Sequence, residues 1–198
     1  SGYSMNTHYE RLLVAPHSVR SGLIERIDRE IANHRAGLPS GIRFKCNSIV
    51  DEGIIDALYR ASNEGVPVQV MVRGICAVRP GIPGMSENIQ VISVLGRFLE
   101  HSRAYCFANG GQTEVWIGSA DLMHRNLDRR VETLVRLVDA DEVTFITDLL
   151  DFAFSPGTSS WHLASDGTWT RRMHDAEGRR LLDYQETLIA RRRTTATV

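Results

Sequence analysis

The apolar residues change period repeatedly through the first third of the chain. Leu12-Leu13-Val14-Ala15 is a short continuous run closed by Pro16, which predicts a brief strand ended by a turn. From Ser18 to about His34, Leu23, Ile24, Ile27 and Ile31 recur at helical spacing among Glu, Asp and Arg. Gly37-Leu38-Pro39-Ser40-Gly41 breaks that helix, and Ile42-Arg43-Phe44-Lys45-Cys46 alternates as a strand. Asp51 is placed to cap a second helix carrying Ile54, Ile55, Leu58 and Ala61, which Gly65 stops. Val66, Val68, Val70 and Val72 then alternate with Pro67, Gln69, Met71 and Arg73. A β-α-β-α-β order predicts an α/β protein with a mixed, largely parallel sheet flanked by helices.

Later elements follow the same logic. A turn-rich stretch runs from Arg79 to Glu87, and strands are predicted over Ile89–Leu95 and Arg103–Ala108. Gly110-Gly111 turns the chain back into Glu114–Gly118 as a hairpin partner, and Glu132–Val138 is a further strand. Asp141–Phe154 reads as a helix, the pattern from Trp161 to Arg172 is mixed, and Asp175–Arg193 reads as an amphipathic helix. Arg191, Arg192 and Arg193 at its end would complement the helix dipole. The whole of 1–198 is expected to form one domain, with 175–198 as C-terminal helix and tail.

Composition narrows the function. The 198 residues carry 23 Lys plus Arg against 24 Asp plus Glu, a net charge of −1. That excludes the broadly basic surface of a generic nucleic-acid binder or a polybasic membrane clamp. Hydrophobic residues make up 42% and charged residues 24%, enough for one buried core. No apolar run approaches the roughly 18 residues of a membrane span. The N-terminus has no signal pattern and no initiator methionine, so the chain is expected to be a piece of something longer. Cys46, Cys76 and Cys106 form no CxxC and sit in or beside apolar runs, as small buried hydrophobes of a reducing cytosol would. Lys45 is the one lysine; the other basic residues are arginines, which suits phosphate recognition and equally suits a GC-rich coding sequence.

The densest polar patterning lies between His101 and Glu132. His101 and Arg103, two apart, share a face if they begin a strand. An imidazole beside a fixed cation suits an anionic substrate, and a salt-bridged edge explains the pair as well. Gly118-Ser119 at a strand end offers a hydroxyl and N–H groups to the same anion. Arg73 ends its strand just before Gly74, where α/β sheets gather ligands, or it is a rim residue. Lys45, Asn47 and Ser48 precede the Asp51 helix, where either phosphate contact or capping accounts for them. The histidines show no HxH or HExxH spacing, so no protein-held transition metal is expected.

His101-x-Arg103 followed by Gly118-Ser119-x-Asp121 resembles the paired histidine-lysine and glycine-serine-asparagine motif of the phospholipase D superfamily. Arg103 stands for the lysine and Asp121 for the asparagine, departures that weigh against lipase or nuclease activity. A closer resemblance is to the C-terminal domain of bacterial polyphosphate kinase, which has the same fold. It is carried by Leu38-Pro39-Ser40-Gly41-Ile42, Lys45-Cys46-Asn47-Ser48-Ile49-Val50-Asp51 and Gly65-Val66-Pro67-Val68. Val72-Arg73-Gly74-Ile75-Cys76, Phe98-Leu99-Glu100-His101-Ser102-Arg103, Ala108-Asn109-Gly110-Gly111 and the stretch from Ser119 to Glu132 complete it.

The resemblance implies reversible transfer of the terminal phosphate of ATP to inorganic polyphosphate through a phosphohistidine, with magnesium. It matches His101 to the second catalytic histidine, a general acid or proton partner, and Arg73 to a nucleotide- or phosphate-binding arginine. Arg103, Lys45, Asn47, Ser119 and Asp121 match motif positions with less defined roles. The phosphorylated histidine and the magnesium-binding arginines belong to the preceding domain, of which residues 1–8 look like the tail. The implied partners are ATP or ADP, polyphosphate, that preceding domain and, at full length, further copies of the enzyme, with no nucleic acid. A cytoplasmic or membrane-associated location follows, without an integral membrane segment. The rival expectations are a homodimeric phospholipase D-like phosphodiesterase and a non-catalytic polyanion-binding module. On the first reading the chain alone is folded and inactive.

Overall fold

The computed structural model describes residues 9–195, so the tail expected at 1–8 lies outside the described residues. Strands β1 (Leu12–Val14), β2 (Ile42–Cys46), β3 (Val68–Val72), β4 (Ile89–Ser93), β5 (Ala104–Phe107), β6 (Glu114–Gly118) and β7 (Thr133–Arg136) precede a C-terminal group. That group is β8 (Thr158–Leu163), β9 (Trp169–Arg172) and β10 (Leu182–Asp183). The helices are α1 (Val19–Arg35), α2 (Glu52–Asn63), α3 (Ala140–Phe154) and α4 (Tyr184–Thr195). The ten strands form one sheet in the order β1-β7-β6-β5-β2-β3-β4-β8-β10, with β9 pairing on β8.

Alternation along the strands sends side chains to two helical layers. Phe44, Val70, Tyr105, Phe107 and Trp116 face α1 and α2, packing on Leu23, Ile27, Ile54 and Leu58. Met71, Ile92, Ala104, Cys106 and Val115 face α3 and α4, against Leu150, Ala153 and Tyr184. Asp51 caps α2 as expected, its Oδ1 accepting from the amide of Ile54 at 3.1 Å.

The sheet is mixed, but parallel pairing is narrower than expected. Among the described strands, only β2–β3, β3–β4 and the short β8–β10 pair run parallel. The other pairings, β1–β7, β7–β6, β6–β5, β5–β2, β4–β8 and β8–β9, are antiparallel. The β-α-β order is as expected, but β1 does not join β2. It crosses to the far edge and pairs with β7, a contact between Leu12 and Val135 that no local pattern encodes. The C-terminal helix also begins later than expected. Residues 175–181 form a turn in which Asp175 accepts from the amides of Glu177 and Arg179, and Gly178 takes φ 79°. That side-chain capping competes with helix, so α4 starts only at Tyr184. The mixed stretch around Trp161 is the β8–β9 hairpin, closed around Gly167 at φ 90°. Arg191 and Arg192 sit over the rings of Phe152 and Phe145, so they bind α4 to α3. Among the described residues, no helix is long and apolar enough to cross a membrane.

Candidate active site

Sheet order gathers the candidate residues. β3 runs parallel to β2 and β5 antiparallel to it, with Lys45 opposite Met71 on one side and Ala104 on the other. β6 pairs with β5 so that Ile117 is opposite Ala104. The ends of β2, β3 and β6 and the start of β5 therefore meet at one end of the sheet. Asn47 follows β2, Arg73 follows β3, His101 and Arg103 precede β5, and Ser119 and Asp121 follow β6. His101 and Arg103 lie just outside the strand, so the loop geometry, not the pleat, brings their side chains together.

Asp121 is the hub. It is 4% exposed, and its Oδ1 accepts from the amides of Asn47 at 2.8 Å and Ser48 at 3.3 Å. Its Oδ2 accepts from Arg103 Nη2 at 3.3 Å. Arg103 Nη1 lies 3.1 Å from the carbonyl of His101 and 3.4 Å from His101 Nδ1. A guanidinium can only donate, so this contact favours the tautomer with the proton on Nε2, and His101 is exposed. Arg73 Nε donates to Asn47 Oδ1 at 2.7 Å and to the Glu100 carbonyl at 2.8 Å. Its terminal nitrogens have no hydrogen-bond partner among the described residues. Asn47 Nδ2 and Arg103 Nε are buried donors, also without partners. Gly74 is required here, since its amide donates to the Asn47 carbonyl at 2.7 Å and a Cβ would fall 2.7 Å from that oxygen.

Lys45 is brought beneath the site. It is 7% exposed, and its Nζ donates to the carbonyl and hydroxyl of Ser102 at 3.1 and 2.8 Å and pairs with Glu100 Oε2 at 3.1 Å. Burial lowers its pKa, against which the Glu100 carboxylate acts. It holds the residues on either side of His101. Ser119 is turned toward β7: its amide donates to the Thr133 carbonyl at 3.1 Å and its hydroxyl accepts from the Thr133 amide at 3.3 Å. Gly118 serves the same pairing, because a Cβ there would lie 1.9 Å from the Thr133 carbonyl oxygen. Glu100 and Ser102, both partners of Lys45, were not singled out from the sequence. Their only signal was their position beside His101.

The site has the donor set of an anion cradle: two guanidiniums, an imidazole and an amide. Its carboxylates, Asp121 and Glu100, already accept from N–H groups, so these residues do not fit a magnesium ion held by the protein. Elsewhere, Asp51, Glu52 and His124 place one ligand atom each within 4.8 Å of one another. Arg20 also lies 2.7 Å from Asp51 and 2.6 Å from Asp128, which makes this group an ion-pair cluster around the start of α2. A cavity of about 660 Å³ opens between the sheet and α3 and α4, with an apolar lining apart from Lys45, Glu100, Ser102 and Arg103.

The chain is 60% identical over 200 residues to a polyphosphate kinase of Streptomyces coelicolor, covering 100% of this chain and 27% of that protein. It superposes on the crystal structure of polyphosphate kinase from Porphyromonas gingivalis with a TM-score of 0.88 and 33% identity, over 96% of this chain and 29% of that one. The chain thus spans little more than a quarter of the relatives it matches. A phospholipase D family member, Nuc from Salmonella typhimurium, shares the fold at a TM-score of 0.51 and 19% identity, over 71% of this chain and 91% of that one. The family model described as polyphosphate kinase C-terminal domain 2 matches residues 12–182, and this chain belongs to that family.

Proposed function

We propose that this chain supplies one half of the active site of a polyphosphate kinase. In that enzyme the terminal phosphate of ATP passes reversibly to polyphosphate through a phosphohistidine on the preceding domain. The observation that carries this reading is the meeting of Arg73, Arg103, His101 and Asn47 at one end of the sheet, where Asn47 Nδ2 and Arg103 Nε have no acceptor among the described residues. Phosphoryl transfer asks mainly for positioning and for neutralisation of charge on the equatorial oxygens. Arg73 and Arg103 supply the charge, and the Asn47 amide adds a neutral donor. A histidine nitrogen of the preceding domain attacks the γ-phosphorus as the bond to the ADP oxygen breaks. The phosphoryl group then leaves that nitrogen for the terminal oxygen of polyphosphate. His101, on the opposite side, donates from Nε2–H to the oxygen on which charge accumulates. Magnesium is expected to arrive with the nucleotide and the preceding domain, because the carboxylates here are engaged.

Apolar side chains at the rim support a covering domain. Ile75, Phe98, Leu99 and Val131, in the loops after Arg73, before His101 and after Asp121, are all more than half exposed. The test is His101→Ala in the full-length enzyme. ATP-dependent polyphosphate synthesis should fall by about 10²-fold or more with the melting temperature unchanged, since His101 is exposed. A variant that synthesises at the normal rate overturns the reading.

A further inference from the structure

His101 is carried by a loop from Val94 to Arg103 that has no helix or strand of its own. Such a segment needs outside partners for its backbone polar groups. One buried side chain, Gln185, supplies both of them for Phe98. It sits in the first turn of α4, is 6% exposed, and lies 87 residues from Phe98 in sequence. Its Oε1 accepts from the Phe98 amide at 2.8 Å and its Nε2 donates to the Phe98 carbonyl at 2.8 Å, as a neighbouring strand would. The same Nε2 donates to Glu100 Oε1 at 2.8 Å. The loop is glycine where the amide passes: a Cβ on Gly96 would fall 2.5 Å from Gln185 Oε1.

Glu100 carries the constraint to the site. Its Oε2 pairs with Lys45, and its carbonyl accepts from Arg73. His101 is the next residue. At the other end, Tyr184 is 3% exposed and stacks on Phe152 of α3, with ring centroids 5.5 Å apart at 19°. The packing of α4 on α3 thus decides where the amide of Gln185 arrives. An apolar residue would fill the same space without the cost of burying an amide, so the three bonds are the reason for a glutamine here.

We propose that Gln185 is a positioning residue for His101, coupling the C-terminal helix to the phosphoryl-transfer site; the proposal rests on the kinase reading above. The test uses the full-length enzyme with Gln185→Glu and Gln185→Met. Glu keeps the acceptor for Phe98 but loses both donors and sets a carboxylate against Glu100. Met keeps the volume and makes none of the bonds. Either change should lower kcat for polyphosphate synthesis by about 10- to 100-fold, the scale of a small misplacement of a reacting group. KM for ATP should change less than about threefold, because the groups that hold phosphate are untouched. Amide exchange should rise in residues 96–103 and not in the central strands. Gln185→Glu should recover toward wild type as pH falls, when its carboxyl gains a proton to donate, whereas Gln185→Met should not. Wild-type kcat in both variants overturns the proposal. So does a loss of activity that follows a fall in melting temperature, with exchange raised throughout and no recovery of Gln185→Glu at low pH. His101→Ala, measured alongside, separates the two claims. If it is inactive while the Gln185 variants are normal, only the positioning role fails; if it is active, the kinase reading fails.

Discussion

Asp121 Oδ1 lies 2.8 Å from the amide nitrogen of Asn47, 74 residues earlier in the chain. One carboxylate thereby ties the loop after β2 to the loop after β6, and through Oδ2 it holds Arg103 as well. Removing it strands three donors at a buried site. Asp121→Ala should destabilise the chain by about 3–5 kcal/mol, the range for breaking a buried pair from one side. Asp121→Asn retains an acceptor for the amides and should cost less. Denaturant unfolding of the purified chain measures both, and equal losses would show that the charge, not the amide bonds, sets the stability.

The isolated chain should fold and yet make no polyphosphate from ATP. On the proposed reading, His101 and the two arginines act from one side of the phosphate, and the attacking histidine is expected on the preceding domain. Synthesis by purified 1–198 would show that the second half of the chemistry is also here. Hydrolysis of bis(p-nitrophenyl) phosphate by the chain would favour the rival phosphodiesterase working as a homodimer.

The buried and half-buried thiols should set an alkaline limit to stability. Burial raises the pKa of Cys76 to about 11 and of Cys106 to about 12, and pushes Cys46 well up. Unfolded thiols ionise near 8.5. Above that pH the unfolded state loses protons that the folded state keeps, so stability is full below about pH 8.5 and declines as pH rises toward the folded values. Each thiol contributes a slope of about 1.4 kcal/mol per pH unit in that window. Cys106→Ala should lower stability at pH 7 and flatten its decline between about pH 9 and 11. An unchanged slope would mean that the thiol is not protected by burial.

Much of this was legible locally. The 3.6 spacing of Leu23, Ile27 and Ile31, the alternation of Val68, Val70 and Val72, and the cap at Asp51 each produced the expected element, because each depends on near neighbours. Buried Cys46 and Cys106 likewise follow from apolar strands. Arg73, Arg103, His101, Asn47 and Asp121 were all singled out, from motif and from strand ends, and they meet. The roles of Lys45 and Ser119 were not legible. Whether an ammonium reaches a ligand or turns under a loop depends on Glu100 and Ser102, whose approach to Lys45 is made by the β2–β5 pairing.

The sequence by itself determined most of the element types, the near-neutral net charge, and several of the side chains that meet at the ends of β2, β3 and β6. Periodicity and residue chemistry act over a few positions and need no partner. Only the tertiary structure decided that β1 closes on β7, that Asp121 joins two loops, and that Gln185 of the last helix holds the strandless segment before His101. Those are contacts between residues about 70 to 120 positions apart, set by which faces the sheet and helices bury together, and no local pattern carries them.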